Sequence, residues 1–321
     1  MLTPMSAPVK AVLVTMFEPG DDQAGELTPY REAFGLEPIK LPGSGLDFVY
    51  ANADRTLIAL VAGVGTANTA VSLMALGLCG QLDLSNAHWL ISGIAGINPH
   101  SGALGGVYWA DWVVDGDLAH EVDLRSAPED WPIGIFPLGA REPYGPSTLE
   151  NGLFGRPYQR FQINPELLRW AMQKTAKIAL LDPPELSTPR SEFANYIGAA
   201  KAPHVAVGGS LSAARFWHGP HHNEWAEQWV YYWTDGAARF VTSAMEDTGS
   251  LHAISQLERM ARARLDRVLV LRAGSNFTCP PEGKSAVENL IGENEPNYPG
   301  MVAALENVVR VGGAVLREWL R

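Results

Sequence analysis

Glu246 and Asp247 stand together in the stretch VTSAMEDTGS, where a β-branched run meets the start of a helical pattern. Carboxylates are costly to desolvate and are rarely buried without a partner. Taken alone, the stretch favours helix capping, because Asp, Thr and Ser suit the first turn of a helix and acids suit its positive end. Arg272 interrupts the apolar run RVLVLRAGSN, where an arginine needs a carboxylate partner. We therefore expect a structural ion pair between Arg272 and Glu246 or Asp247.

Buried strand patterns alternate with amphipathic helix patterns along the chain. Asn164 and Pro165 are suited to the cap and first position of one helix, and residues 126–160 are predicted to be long ordered loops. The alternation indicates one α/β domain, residues 1–321, with a largely parallel, twisted sheet. Strands are predicted at 10–17, 56–63, 88–96, 105–117, 204–210, 239–244 and 267–276, and helices at 66–78, 164–178, 224–232, 249–263 and 299–321.

Four predicted strand ends carry polar or glycine residues: 16–18 (MFE), 63–66 (GVGT), 245–247 (MED) and 275–277 (SNF). In open α/β sheets, ligands bind outside the carboxyl ends of the strands. The sequence therefore predicts a ligand site where these ends meet.

Composition excludes several classes of protein. The 321 residues carry a formal net charge of −11, which argues against a nucleic-acid-binding protein. Two cysteines exclude a disulfide scaffold, and no run of about 18 uncharged apolar residues is present to span a bilayer. Residues 1–9 are expected to be a disordered extension without the apolar core of a signal peptide. We expect a cytoplasmic protein, or a periplasmic one if a leader was removed.

The order of these motifs resembles the purine nucleoside permease family, over nearly the whole chain. The resemblance is carried by ISGIAGINPHSGALGGV, TSAMEDTG and LRAGSNFTCPP. That family is similar to the nucleoside phosphorylase and nucleosidase superfamily. The resemblance implies an α/β, three-layer fold with a central mixed, barrel-like twisted sheet flanked by helices. It also implies a purine nucleoside ligand, no cofactor or metal, and a homo-oligomer, either a dimer or a trimer.

The resemblance assigns roles to strand-end residues. Met245 and Glu246 match the pair that clamps the ribose, and a carboxylate is able to accept both vicinal hydroxyls. Asn276 matches the residue that meets the purine. Phe216 matches the aromatic that stacks on the base, with Trp217 as the alternative. With these correspondences, capping alone becomes the lesser explanation for Glu246.

Four further residues complete the implied site. Gly93 and Gly96 match a glycine turn beside the ribose and the nucleophile. Thr66 and the amides of its turn are weak anion donors. His120 matches a segment that reaches the ribose 5′ end, although lone histidines are often structural or exposed. The stretch HGPHHNE is interpreted as a loop and helix start rather than a metal site.

The catalytic assignments rest on what glycosidic cleavage requires. Asn276 offers both a donor and an acceptor, which favours inosine or guanosine over adenosine, although a local backbone role is the alternative. The positions that would hold phosphate read Ile91 and Ile94, and EPGDDQAGE contains no arginine. Water is therefore the favoured nucleophile, oriented by Glu18 or Glu26, with Glu18 preferred because it follows the first strand directly.

These residues leave two functions open. The favoured one is hydrolysis of a purine nucleoside, with phosphorolysis as the less favoured reaction. The alternative is a soluble, non-catalytic nucleoside-binding protein that assists uptake, since absent phosphate ligands fit either function.

Overall fold

The fold is known from a computed structural model, which describes residues 8–19, 24–147, 159–292 and 298–321. Within these ranges, apolar runs form the central strands, and every residue of β1 and β12 is buried. The strands are β1 (Ala11–Thr15), β2 (Glu37–Ile39), β3 (Val49–Ala51), β4 (Leu57–Val61), β5 (His88–Ile97), β6 (Val107–Asp115), β7 (Ala119–Glu121), β8 (Ile135–Pro137), β9 (Arg160–Gln162), β10 (Val205–Ser212), β11 (Phe240–Ala244) and β12 (Val268–Phe277).

Five of these strands close into a barrel. The sheet order is β11-β10-β6-β12-β5, and β11 also pairs with β5, which completes the ring. From β5 the sheet continues through β1, β4, β3 and β2, while β9 pairs with β6 and β7 pairs separately with β8. The central sheet is therefore mixed and barrel-like, as the resemblance implied.

The long central strands pair mainly in parallel, as expected, with β10 parallel to both β6 and β11, but the sheet as a whole is mixed. β1 is parallel to β4 and β5, and β12 is parallel to β5. However, β12 runs antiparallel to β6, and β11 runs antiparallel to β5. The short strands at the open edge and β9 add antiparallel pairs as well. Apolar patterning shows that a strand is buried but does not show the direction of its neighbour.

The helices surround this sheet. They are α1 (Thr28–Phe34), α2 (Thr66–Leu78), α3 (Pro165–Thr175), α4 (Ser187–Glu192), α5 (Pro220–Trp233), α6 (Asp247–Arg259), α7 (Ala286–Gly292) and α8 (Pro299–Leu320). α8 packs along β12 and β5, and α2 packs against α6. The predicted cap of α3 is confirmed, because the Asn164 side chain accepts hydrogen bonds from the amides of Glu166 and Leu167.

The chain ends and loops differ in part from expectation. Val9 is buried and its amide donates to the carbonyl of Asp83, so the chain is ordered from before β1. The remainder of the predicted extension, residues 1–7, lies outside the described residues. The predicted loop region 126–160 contains β8, and its residues 148–158 also lie outside the described ranges. Within the described ranges, no helix combines the length and apolarity needed to cross a bilayer.

Candidate functional site

Arg272 lies at the centre of a buried group of three carboxylates. Its Nη2 is 2.6 Å from Oδ1 of Asp247 and 3.2 Å from Oε2 of Glu246, and its Nη1 is 4.0 Å from Oε1 of Glu26. The Asp247 side chain is completely buried, and that of Glu246 is 7% exposed. We call Glu26, Glu246, Asp247 and Arg272 the acid–arginine cluster. The predicted ion pair of Arg272 is thus confirmed with both candidate partners.

The barrel and the loop before α1 bring these side chains together. Arg272 lies on β12 opposite Gly93 of β5. The Glu26 carboxylate accepts hydrogen bonds from the amides of Met16, at 2.6 Å, and of Ile94, at 2.7 Å. Glu26 therefore joins the end of β1 to the middle of β5, with both of its oxygens fixed.

Gly93 leaves the space that this arrangement needs. A β-carbon built on Gly93 would lie 2.2 Å from Oε1 of Glu26 and 2.7 Å from Nη1 of Arg272. The expectation that Gly93 and Gly96 form a turn is wrong, because β5 continues through both residues. The strand continues because Arg272 pairs with Gly93 and Ser243 pairs with Gly96.

Glu246 occupies the N-cap position of α6, but its side chain makes no capping hydrogen bond. The carboxylate accepts instead from the amides of Gly65 and Met245, each at 3.2 Å. Gly65, with φ of 91°, directly precedes Thr66 at the start of α2. The glycine turn at 63–66 and the 245–247 strand end therefore meet, as predicted.

Burial controls the ionisation of the cluster. It raises the pKa of Glu26 from 4.5 to about 7, with Arg272 acting against this shift and Glu246 adding to it. The pKa of Glu246 is also raised, chiefly by burial. Burial by itself lowers the pKa of Arg272, but the carboxylates, Asp247 foremost, raise it above its usual value. The site thus holds a permanently charged guanidinium beside two glutamates, Glu26 and Glu246, that ionise reluctantly.

Glu18, the preferred water-activating residue in the sequence prediction, is engaged elsewhere. Its carboxylate accepts from the amides of Gly25, Leu27 and Thr28 at 2.8, 2.9 and 3.0 Å, and from Oγ1 of Thr28 at 2.6 Å. These bonds hold Glu18 against residues 25–28, at the start of α1. The structure thus places Glu26, the second candidate, in the cluster.

Asn276 lies farther along β12. It follows Arg272 by four positions, which is roughly 13 Å along an extended strand. Its Oδ1 accepts from Oγ of Ser275 at 3.0 Å. Asn276 also lines a cavity of about 230 Å³ together with Phe193, Phe277 and neighbouring residues. Glu26, Glu246, Asp247 and Arg272 are not among the residues that line this cavity.

The two aromatic candidates have different surroundings. Phe216 is 55% exposed, beyond the end of β10. Trp217 is 7% exposed and packs against Trp225 and Phe240 in the core. Of the two, Phe216 has the ring that a ligand could reach.

His120 is exposed on β7, and its ring contacts that of Phe136, with centroids 5.0 Å apart. The next residue, Glu121, lies 3.4 Å from Nη1 of Arg215. This ion pair brings the His120 strand beside the loop that carries Phe216. In the part of the chain that the structure describes, no group of three or more potential ligands could hold a metal ion.

Two solved structures with a similar fold are a nucleosidase and a hydrolase. A 5′-methylthioadenosine/S-adenosylhomocysteine nucleosidase from Streptococcus pneumoniae superposes with a TM-score of 0.56 at 15% identity, covering 96% of this chain and 97% of that one. Futalosine hydrolase from Helicobacter pylori superposes with a TM-score of 0.55 at 15% identity, covering 98% and 100%. At these identities the similarity establishes the fold.

The sequence places the chain more narrowly. A profile of the purine nucleoside permease family matches residues 8–321, so the chain belongs to this family. A purine nucleoside permease of Candida albicans is 26% identical over 315 residues, 96% of this chain and 74% of that protein. A probable purine nucleoside permease of Schizosaccharomyces pombe is 28% identical over 274 residues, 84% of this chain and 77% of that protein.

Proposed function

We propose that this protein binds a purine nucleoside beside the acid–arginine cluster and hydrolyses its N-glycosidic bond. The observation that carries the proposal is the position of Glu26. This carboxylate is buried, anchored by two backbone amides and raised in pKa to about 7. A general base works best when its pKa lies near the operating pH. The nucleosidase and hydrolase names of the structural neighbours agree with such chemistry.

The ribose would lie over Glu246 and Met245. Glu246 accepts from the Gly65 amide on Oε1 and from the Met245 amide and Arg272 on Oε2, so the remaining lone pair of Oε1 is available to a sugar hydroxyl. The half-buried Met245 offers a polarisable thioether surface to the sugar.

Hydrolysis then follows from the position of Glu26. The ionised carboxylate takes a proton from a water molecule while the water oxygen bonds to C1′. The C1′–N9 bond breaks with its electrons going to the purine, which takes a proton from solvent on a ring nitrogen. Asn276 would hydrogen-bond the purine, and Phe216 would stack on it. Comparable kcat/KM for adenosine and inosine would contradict the preference inferred from Asn276.

Phosphorolysis is disfavoured because the cluster offers phosphate no free cation. The Nε and Nη2 atoms of Arg272 donate to Asp247, and Nη1 donates to the carbonyl of Ile94. Ile91 is completely buried in β5 and offers no donor. A phosphate dianion requires several strong donors, which these residues do not supply.

The alternative function is nucleoside binding without chemistry. The observation that favours it is the name of the relatives in Candida albicans and Schizosaccharomyces pombe, which are called permeases or probable permeases. In this alternative, the cluster would recognise the ribose alone, and Glu26 would only help to organise the site.

Chromatographic detection of free base separates these functions. Inosine, guanosine and adenosine are incubated with the protein, with and without phosphate. Base released without phosphate supports hydrolysis, and release that requires phosphate supports phosphorolysis. Calorimetric binding without any release supports the binding protein, and no binding contradicts both proposals.

A further inference from the structure

The acid–arginine cluster contains more negative than positive charge. Three carboxylates surround Arg272, and the ion pairs of the described residues show no other cation on any of them. If all three were ionised, two negative charges would remain uncompensated in a buried site. Such a site retains a proton rather than bearing that desolvation cost.

Asp247 engages the guanidinium more closely than the two glutamates do. Its Oδ1 accepts from Nη2 at 2.6 Å and from Nε at 3.0 Å. Its Oδ2 accepts from Oγ of Ser210 at 2.7 Å. Both oxygens of the completely buried Asp247 are therefore engaged, and Asp247 is the carboxylate that holds the guanidinium most closely.

The other groups near Glu26 do not supply a compensating charge. The hydroxyl of Tyr30, on α1, bonds with Oγ of Ser92 at 2.8 Å, and its pKa is raised by burial, so it stays neutral. Glu18, on the same loop, is held by Gly25, Leu27 and Thr28. Arg272 and Glu246 are therefore the charged groups that act on Glu26 most directly.

We propose that Asp247 is a positioning residue that takes up the charge of Arg272, so that Glu26 and Glu246 hold one proton between them at neutral pH. This inference deepens the proposed function and rests on it, because the shared proton determines when Glu26 is free to accept a proton from water. The two glutamates then titrate as a coupled pair. Loss of Asp247 would release Arg272 to neutralise them.

The test replaces Asp247 with the isosteric Asn, as Asp247→Asn, in the 321-residue chain. The matched control is Ser212→Ala, which removes hydrogen bonds to the Thr248 amide and hydroxyl in the same turn of α6 without altering charge. We expect the acid limb of the kcat/KM profile to move to lower pH by about 1 unit in Asp247→Asn and to stay in place in Ser212→Ala. The proposal would be overturned if the acid limb of the kcat/KM profile stayed in place in Asp247→Asn, or if it shifted equally in Ser212→Ala.

A second measurement needs no turnover and no variant. Carbon-13 NMR of glutamate side chains in the unliganded wild-type protein follows each carboxyl through pH. We expect one glutamate carboxyl to titrate near pH 7. If every glutamate titrates below about pH 5, the ordinary range, Glu26 and Glu246 share no proton and the inference is wrong. If a glutamate carboxyl titrates near pH 7 but the protein releases no base from nucleosides, the result supports the shared proton and contradicts the proposed hydrolysis.

Discussion

At the scale of single residues, the site places an ionisable group where ionisation is costly. Glu26 has a pKa of about 7 in the folded protein against 4.5 in its ordinary state. Between these values the folded state holds a proton that the unfolded state has released. The free energy of unfolding therefore falls as pH rises from 4.5 to 7, by roughly 3 kcal/mol for this group, and is constant above that range.

The variant Glu26→Gln removes this titration. We expect the fall in unfolding free energy between about pH 5 and about pH 8 to be smaller than in wild type by roughly 3 kcal/mol. Urea denaturation at several pH values measures the free energy of unfolding. A loss of hydrogen bonds that does not depend on pH lowers this free energy equally at every pH, so it does not change the difference between about pH 5 and about pH 8. An identical pH dependence in both proteins would show that Glu26 ionises normally.

A second prediction at this scale concerns Gly93. In Gly93→Ala the new methyl group would meet both Glu26 and Arg272, so the cluster must shift. We expect at least about a tenfold loss of kcat/KM and a stability loss of about 1–3 kcal/mol, as in overpacked cores. The comparison is Gly96→Ala, whose β-carbon would lie 3.2 Å from Cγ2 of Thr278, and which should do less harm. Equal activity of Gly93→Ala and wild type would contradict this account of β5.

Part of the site was predictable from single residues. An arginine in an apolar strand requires a carboxylate, so the pairing of Arg272 with Glu246 and Asp247 could be predicted. The choice between Glu18 and Glu26 could not be predicted, because it depends on which of the two side chains points towards Arg272. Sequence distance from β1 favoured Glu18, whereas a side chain's direction is determined by the three-dimensional path of the loop.

At the scale of elements, the site depends on the contact between α2 and α6. A β-carbon on Gly249 would lie 2.1 Å from the carbonyl oxygen of Thr66, so these two helix starts approach through a glycine. The same approach brings the Gly65 amide to Glu246.

We expect Gly249→Ala to separate these helix starts and remove the Gly65 bond to Glu246. The expected result is a loss of stability of about 1–3 kcal/mol together with a higher KM for nucleoside. The control is Asn164→Ala, which should cost about 1 kcal/mol through the lost cap of α3 while KM is unchanged. Calorimetry and initial rates on both variants measure these effects. An unchanged KM in Gly249→Ala would show that the α2–α6 contact does not shape the site.

Element prediction succeeded where apolar patterns are long. The strands corresponding to β1, β4, β5, β6, β10, β11 and β12 were all located in the sequence. The short strands β2, β3, β7, β8 and β9 were missed, because three residues are too few to show a periodicity. The predicted strand 88–96 agrees with β5 within one residue, whereas the glycine turn that the resemblance implied there is excluded by pairing with β11 and β12.

At the scale of the whole molecule, closure of the barrel brings distant residues together. The antiparallel pairing of β11 with β5 places the start of α6 beside residues that precede it by about half the chain. Sequence patterns locate these strands, but the ring depends on long-range register. The family resemblance, rather than the periodicity, predicted a barrel-like sheet.

The homo-oligomer also belongs to this scale and stays a prediction. Sedimentation velocity on the 321-residue chain measures the oligomeric state, and we expect a dimer or a trimer. A single species with the mass of one chain, 34.8 kDa, at every concentration would contradict this prediction.

The central claim is that Glu26, held in the acid–arginine cluster, activates water. Its most direct test is base release by Glu26→Gln beside Glu18→Gln, with calorimetric nucleoside binding measured on both. We predict that Glu26→Gln binds nucleoside but loses at least about 100-fold in kcat. Glu18→Gln, which alters only the loop, should lose less than about tenfold. Wild-type turnover by Glu26→Gln, or a greater loss in Glu18→Gln, would contradict the account.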